Sequence, residues 1–349
     1  MRLLIIPTAH GLEPAMLCPA WELDVLRQPA ERGLCRAPRS WCDVCMELAI
    51  PVEGGELSAT LTVPPEPVRA GVVVLHGAEA GERSYFLYEH LAHLLGGSYV
   101  AVLRYDRRRS RDGEDVPLPV QASDAVTAVR CLRQVVGPVP TGLWGFSQGA
   151  WAAPLAAVTA PDRVDFLICV SCCGVSPAEQ MRVRCSRQLR KHGFSDSEVE
   201  ELTRTRLAVE QFLRTGQGSE SARTMLGTVA ARPWFRHAYL PDRPPEPGSW
   251  PDVDFDPRPV LTRLSCPVLA FYGESDEWMP IEESLAAWQA AKEHGTLTDV
   301  RVVRLAGTDH LPTVGGRTDP RAISTVYSDT LMEWVTSLHR LPAERLEES

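Results

Sequence analysis

The sequence predicts an α/β protein built on a doubly wound, mostly parallel sheet, and three observations carry that expectation. Apolar runs recur along the chain, amphipathic segments with helical spacing separate them, and the runs are continuous in Val, Ile, Leu and Phe instead of alternating with polar residues. Strands of that kind are buried on both faces, which helices above and below a parallel sheet provide.

Taken in chain order, residues 1–45 show no clear periodicity and are set apart as an N-terminal extension of undetermined structure. The opening "MRLLIIP" lacks both the length and the small-residue cleavage site of a secretory signal. Residues 46–64, "MELAIPVEGGELSATLTVP", read as a β-hairpin turning at Gly54-Gly55, where glycine permits the positive φ of a tight turn. Strands are then expected at "AGVVVLHG" (70–77), "YVAVLRYD" (99–106), "TGLWGFS" (141–147), "VDFLICVS" (164–171), "CPVLAFYGESD" (266–276) and "DVRVVRLAG" (299–307). Helical spacing appears between them in "SYFLYEHLAHLL", "SDAVTAVRCLRQVV", "QGAWAAPLAAVTA" and "IEESLAAWQAAKEH".

Residues 176–258 break this rhythm. Charged amphipathic stretches replace the strand runs, so two or three helices are expected here, with Ser195 as an N-cap region ahead of the acidic "DSEVEEL". Seven prolines between Pro241 and Pro259 suit an extended return path. The segment is read as a helical cap inserted between a first core part, 46–175, and a second, 259–349.

Composition narrows the function classes. A net charge of −9 gives no broad positive field for a phosphate backbone, so no nucleic-acid partner is expected. No segment approaches the roughly 18 apolar residues of a membrane span, and none is expected to act at a membrane. The ten cysteines are spread through a long chain and are expected as reduced thiols in the cytoplasm. Cys42 and Cys45 form a C-x-x-C without a second ligand pair at zinc spacing, so no metal site is assigned. Arg107, Arg108, Arg109 and Arg111 form the one dense basic cluster, read either as a solvated loop or as a wall meeting an anionic substrate.

The chemistry centres on Gly145-Phe146-Ser147-Gln148-Gly149, a G-x-S-x-G at the end of an apolar run and the start of an Ala-rich helix. On a strand-turn-helix the serine hydroxyl projects outward, and glycines on either side admit the tight backbone. The backbone N–H of Gln148 lies at the helix start, where unpaired donors favour a developing negative charge. A serine hydroxyl is a weak nucleophile and needs a base, which in turn needs an orienting acid. His310 follows the last strand run and is the expected base. Asp276 follows "PVLAFYG" and is the preferred acid, with Glu274 and Glu277 as close competitors and Asp309, beside the histidine, as a turn former.

These stretches together give the resemblance. "VVVLHGAEAGER", "VAVLRYDRR", "GLWGFSQGAWAAPLAA", "PVLAFYGESDEWMP" and "VRLAGTDHLP" resemble the α/β-hydrolases, and among them capped serine carboxylesterases related to dienelactone hydrolases and the prolyl-oligopeptidase catalytic domain. The resemblance covers roughly residues 46–340. It implies an α/β-hydrolase fold, Ser147 as nucleophile, His310 as base and Asp276 as acid. It also implies backbone oxyanion donors at Gln148 and at Ala78, with Glu79 as the competitor in that loop. Glu79, Arg107 and Trp151 are expected to contact the substrate. Where relatives continue "RYD" with "RG", this chain has "RYDRRRSRDGEDVPLP", a more charged loop near the site.

The expected function is therefore a serine hydrolase that cleaves a carboxylic ester or thioester of a small molecule through an acyl-enzyme on Ser147, with no cofactor. Two alternatives are carried. One is an acyltransferase or cyclase of specialised metabolism using the same three residues, and the other is a non-catalytic ligand-binding homologue.

Overall fold

The computed structural model describes residues 44–65, 67–78, 80–109, 115–297 and 299–338. β1 (Val44–Val52) and β2 (Gly55–Val63) form the expected antiparallel hairpin, with Val52 opposite Gly55 and Gly54 at φ +85° in the turn. β3 (Ala70–Leu75), β4 (Val100–Tyr105), β5 (Thr141–Phe146), β6 (Phe166–Val170), β7 (Val268–Gly273) and β8 (Val300–Leu305) fall inside the six apolar runs. The sheet order is β1-β2-β4-β3-β5-β6-β7-β8. The hairpin joins β4 antiparallel, and every pair from β4 to β8 is parallel. This is the predicted fold class, an α/β-hydrolase sheet of mostly parallel strands.

All residues of β3, β4, β5, β6 and β7 are buried, as their continuous apolar runs require. α1 (Phe86–Gly96) packs with the C-terminal helix on one face, where Leu87, Leu91 and Trp144 share a core with Tyr327 and Leu331. α2 (Leu118–Val136) and α3 (Gly149–Thr159) cover the other face, where Ala125, Val129, Ala153 and Ala156 meet Leu143 and Cys169. α2 begins five residues before the amphipathic segment that predicts it. Pro119 tolerates the first turn, and the Asp252 carboxylate accepts the Leu118 N–H at 3.0 Å, so a residue distant in sequence caps this end.

Between β6 and β7 lie α4 (Pro177–Lys191), α5 (Asp196–Thr215) and α6 (Ser219–Val229). Ser195 stands at the α5 N-cap, and its N–H donates to Glu198 Oε2 at 2.7 Å in a capping box. These helices bury Met181, Cys185, Leu202, Leu226 and Trp234 against one another in a core of their own. The Pro-rich return leads to α7 (Arg258–Leu261) and β7, followed by α8 (Ile281–His294), whose bounds match the predicted helix, and by α9 (Thr325–Leu338) after β8. No helix among the described residues is long and apolar enough to cross a membrane. Cys169, Cys172 and Cys173 are buried thiols, whereas Cys42 lies outside the described residues.

Candidate active site

Ser147 directly follows β5, with Gln148 between it and α3, and has φ +52°. A non-glycine residue is strained in that region, and here the strain is held by packing. The Ser147 N–H donates to the Val170 carbonyl at 2.9 Å. The flanking glycines are required by contact: a Cβ on Gly145 would stand 2.4 Å from the Gly149 carbonyl oxygen, and one on Gly149 would stand 2.5 Å from the Leu75 carbonyl.

The loops after β7 and β8 bring two further side chains to this turn. His310 Nε2 lies 2.9 Å from Ser147 Oγ, and His310 Nδ1 lies 2.9 Å from Asp276 Oδ2. The Ser171 hydroxyl donates to the His310 carbonyl at 3.0 Å and fixes the backbone behind the ring. Asp276 Oδ1 accepts the N–H groups of Trp278 at 2.8 Å and Met279 at 3.2 Å. Burial alone would raise the Asp276 carboxyl. The His310 charge and hydrogen bond, with those two N–H groups, outweigh it and hold the carboxyl below its ordinary value.

The competing acids are placed elsewhere. Glu274 is exposed, and Glu277 pairs with Arg184 at 2.8 Å and also with Lys191. Asp309 accepts the Leu311 N–H at 3.1 Å in a local turn, as its expected role implied.

The backbone N–H groups of Gln148 and Ala78 have no acceptor among the described residues, and both residues line the same cavity as Ser147. Two free donors beside a hydroxyl can hold the oxygen of an attacked carbonyl. Glu79 lies outside the described residues. Trp151 lines the cavity and donates its indole N–H to the Cys173 carbonyl at 2.7 Å.

Arg107 departs from expectation. Its side chain is 2% exposed and does not line the cavity. The guanidinium donates to the Gly77 carbonyl at 3.0 Å, the Ala78 carbonyl at 2.7 Å, Gln148 Oε1 at 2.7 Å and Asp115 Oδ1 at 2.6 Å. Instead of meeting a substrate it ties together the two loops that carry the free N–H groups. A buried arginine requires such partners, and its planar fork reaches several at once. Arg108 likewise pairs with Asp124 at 2.5 Å, while Arg111 lies outside the described residues. Arg107 and Arg108 are thus engaged internally, whereas Arg109 is exposed. His76, at the end of β3, donates to the Tyr105 carbonyl, and burial pushes it down to about 3, so it is a neutral ring ordering this loop.

The cavity is about 440 Å³ and draws its walls from both the α/β core and the segment between β6 and β7. Phe146, Trp151, Leu118 and Leu311 come from the former, and Met181, Tyr239, Trp250 and Asp252 from the latter. Among the described residues, no group of three or more His, Cys, Asp or Glu side chains could hold a metal ion. Asp252 was missed by sequence reasoning, since its role depends on where the Pro-rich return crosses α2.

A model of the Alpha/beta hydrolase family matches residues 72–324 of the chain. No curated protein matches it. Among solved structures, the Pyrococcus furiosus esterase Pf2001 is similar at a TM-score of 0.53 and 12% identity, over 84% of this chain and 93% of the esterase. A proline iminopeptidase from Mycobacterium smegmatis is similar at 0.52 and 18% identity, over 84% of this chain and 98% of that one. The peroxisomal alpha-beta-hydrolase Lpx1 from Saccharomyces cerevisiae is similar at 0.51 and 14% identity, over 87% of this chain and 94% of that one. At these identities the likeness speaks to the fold.

Proposed function

The chain belongs to the alpha/beta hydrolase family, and from that premise we propose that it is a serine hydrolase cleaving a carboxylic ester or thioester of a small molecule. The observation that carries this reading is the unbroken contact from Asp276 through His310 to Ser147, 2.9 Å at each step, at the floor of an apolar cavity.

His310 Nε2 takes the Ser147 proton as Oγ bonds to the substrate carbonyl carbon, and the resulting oxyanion is received by the Gln148 and Ala78 N–H groups. Collapse breaks the bond to the leaving alcohol or thiol, which receives the proton from His310 and leaves the acyl group on Ser147. Water then attacks, giving its proton to His310, and the carboxylic acid departs as Ser147 regains the proton. Asp276, held ionised, orients the ring and offsets its charge while it is protonated. The α4–α6 segment acts as a cap that shapes the acyl and leaving-group pockets.

The test is a panel of 4-nitrophenyl esters and acyl thioesters of increasing chain length, assayed on wild type, S147A and H310A. Turnover in wild type that is lost in both variants, each folded by circular dichroism, supports the proposal. Activity surviving in S147A contradicts it.

A further inference from the structure

Two arginines border the cavity, and both are paired inside the protein. Arg107 is paired with Asp115 beneath the oxyanion loops. Arg184 lies behind the aromatic wall, its guanidinium carbon 4.8 Å from the Trp278 ring centre and 5.6 Å from that of Tyr239, and it is paired with Glu277. Among the described residues no lysine or arginine lines the cavity, and Asp252 is its one side chain of formal charge apart from the His310 imidazole.

Asp252 is half-buried, and its Oδ2 accepts the Leu118 N–H. No lysine, arginine or histidine among the described residues forms an ion pair with it. A carboxylate drawn out of water is unfavourable, and burial pushes this carboxyl up against the opposing pull of the Leu118 N–H. The neighbouring wall is aromatic: Trp250, Tyr239 and Trp278 line the same cavity. Trp250 Nε1 is buried with no acceptor among the described residues, a second polar group of this wall left for a ligand. A carboxylate lining an aromatic-walled cavity favours a cation and opposes an anion.

We infer that the cavity takes a substrate bearing a protonated amine, with Asp252 accepting the ammonium group and the Trp250, Tyr239 and Trp278 rings surrounding it. The inference rests on the serine-hydrolase reading, since it names the substrate class for that site. The amine belongs either to the acyl part or to the leaving alcohol, and the cavity chemistry is common to both.

Two pairs of substrates separate these sources, each assayed where the amine is protonated. The acyl arm compares the 4-nitrophenyl esters of phenylalanine and 3-phenylpropionate; the alcohol arm compares the 2-aminoethyl and propyl esters of phenylacetate. The expected result is an amine preference in kcat/KM of about ten- to a hundredfold in at least one arm, reduced at least tenfold by D252N. Asparagine keeps an acceptor for the Leu118 N–H, which guards the start of α2. A ratio near one in both arms, or a preference that survives D252N, overturns the inference.

A second measurement needs no variant. In wild type, 2-phenylethylamine should slow fluorophosphonate labelling of Ser147 at concentrations where 2-phenylethanol does not, and equal protection overturns the inference. Labelling of Ser147 without any amine preference removes this proposal alone. Absence of labelling and of turnover in every arm removes the serine-hydrolase reading and this proposal with it.

Discussion

Arg107 donates to Gln148 Oε1 at 2.7 Å across 41 positions of sequence, and so joins the nucleophile turn to the loop after β3. The same guanidinium holds the Gly77 and Ala78 carbonyls, and Ala78 and Gln148 both line the cavity. Arg107 is a positioning residue whose charge is balanced by Asp115.

Removing it is expected to affect both stability and rate. R107M strips the cation from a pair whose side chains are each 2% exposed, a change that costs about 3–5 kcal/mol in comparable buried pairs. Loosening the two donors is expected to lower kcat by about a hundredfold with little change in KM. R107K recovers part of the stability but not kcat, because an ammonium cannot fork to four acceptors. Denaturant melts and steady-state kinetics check this; a kcat within twofold of wild type in folded R107M contradicts the positioning role.

The glycine after Gln148 tests the nucleophile turn itself. In G149A the new methyl meets the Leu75 carbonyl and the His76 nitrogen, at 2.5 and 2.8 Å, and both are backbone atoms of a buried strand end. We expect a loss of about 1–3 kcal/mol or more, together with slower labelling of Ser147. A thermal midpoint equal to wild type would mean that the turn has slack which the packing does not display.

How much of this was legible in the sequence follows from the range of the forces involved. β3 through β7 were legible because burial on both faces demands uninterrupted apolar residues, and Ser147 because the G-x-S-x-G that holds it on a tight turn between strand and helix is written in five consecutive residues. His310 and Asp276 were legible from their places just past β8 and β7. α9 was overlooked, although Tyr327, Leu331, Trp334, Val335 and Leu338 are buried at helical spacing and would have shown it. Arg107 and Asp252 were illegible for another reason. The contacts that place them in the site lie 41 and 134 positions away, at Gln148 and Leu118, and for Arg107 the local charge density pointed into the cavity instead of beneath its loops.

Asp276 gives a pH dependence with a definite sign. Folding holds its carboxyl below the reference value of 3.8, so the native state binds that proton less readily than the unfolded chain. The stabilisation is therefore complete above about pH 5 and is lost as the pH falls through 3.8 and below. The stability difference between wild type and D276N should shrink across that window in urea melts, and a difference that stays constant or grows on acidification contradicts the assignment. At neutral pH, D276N should lower kcat by about three to four orders of magnitude, since the imidazole loses its orienting acceptor.

Ser147 owes its reactivity, on this reading, to His310 at 2.9 Å. The most direct measurement is mass spectrometry of the intact protein and its peptides after treatment with a fluorophosphonate. One phosphonyl adduct is expected, located on Ser147, absent from S147A and formed far more slowly in H310A. An adduct on another residue, or labelling of Ser147 at the wild-type rate in folded H310A, would contradict it.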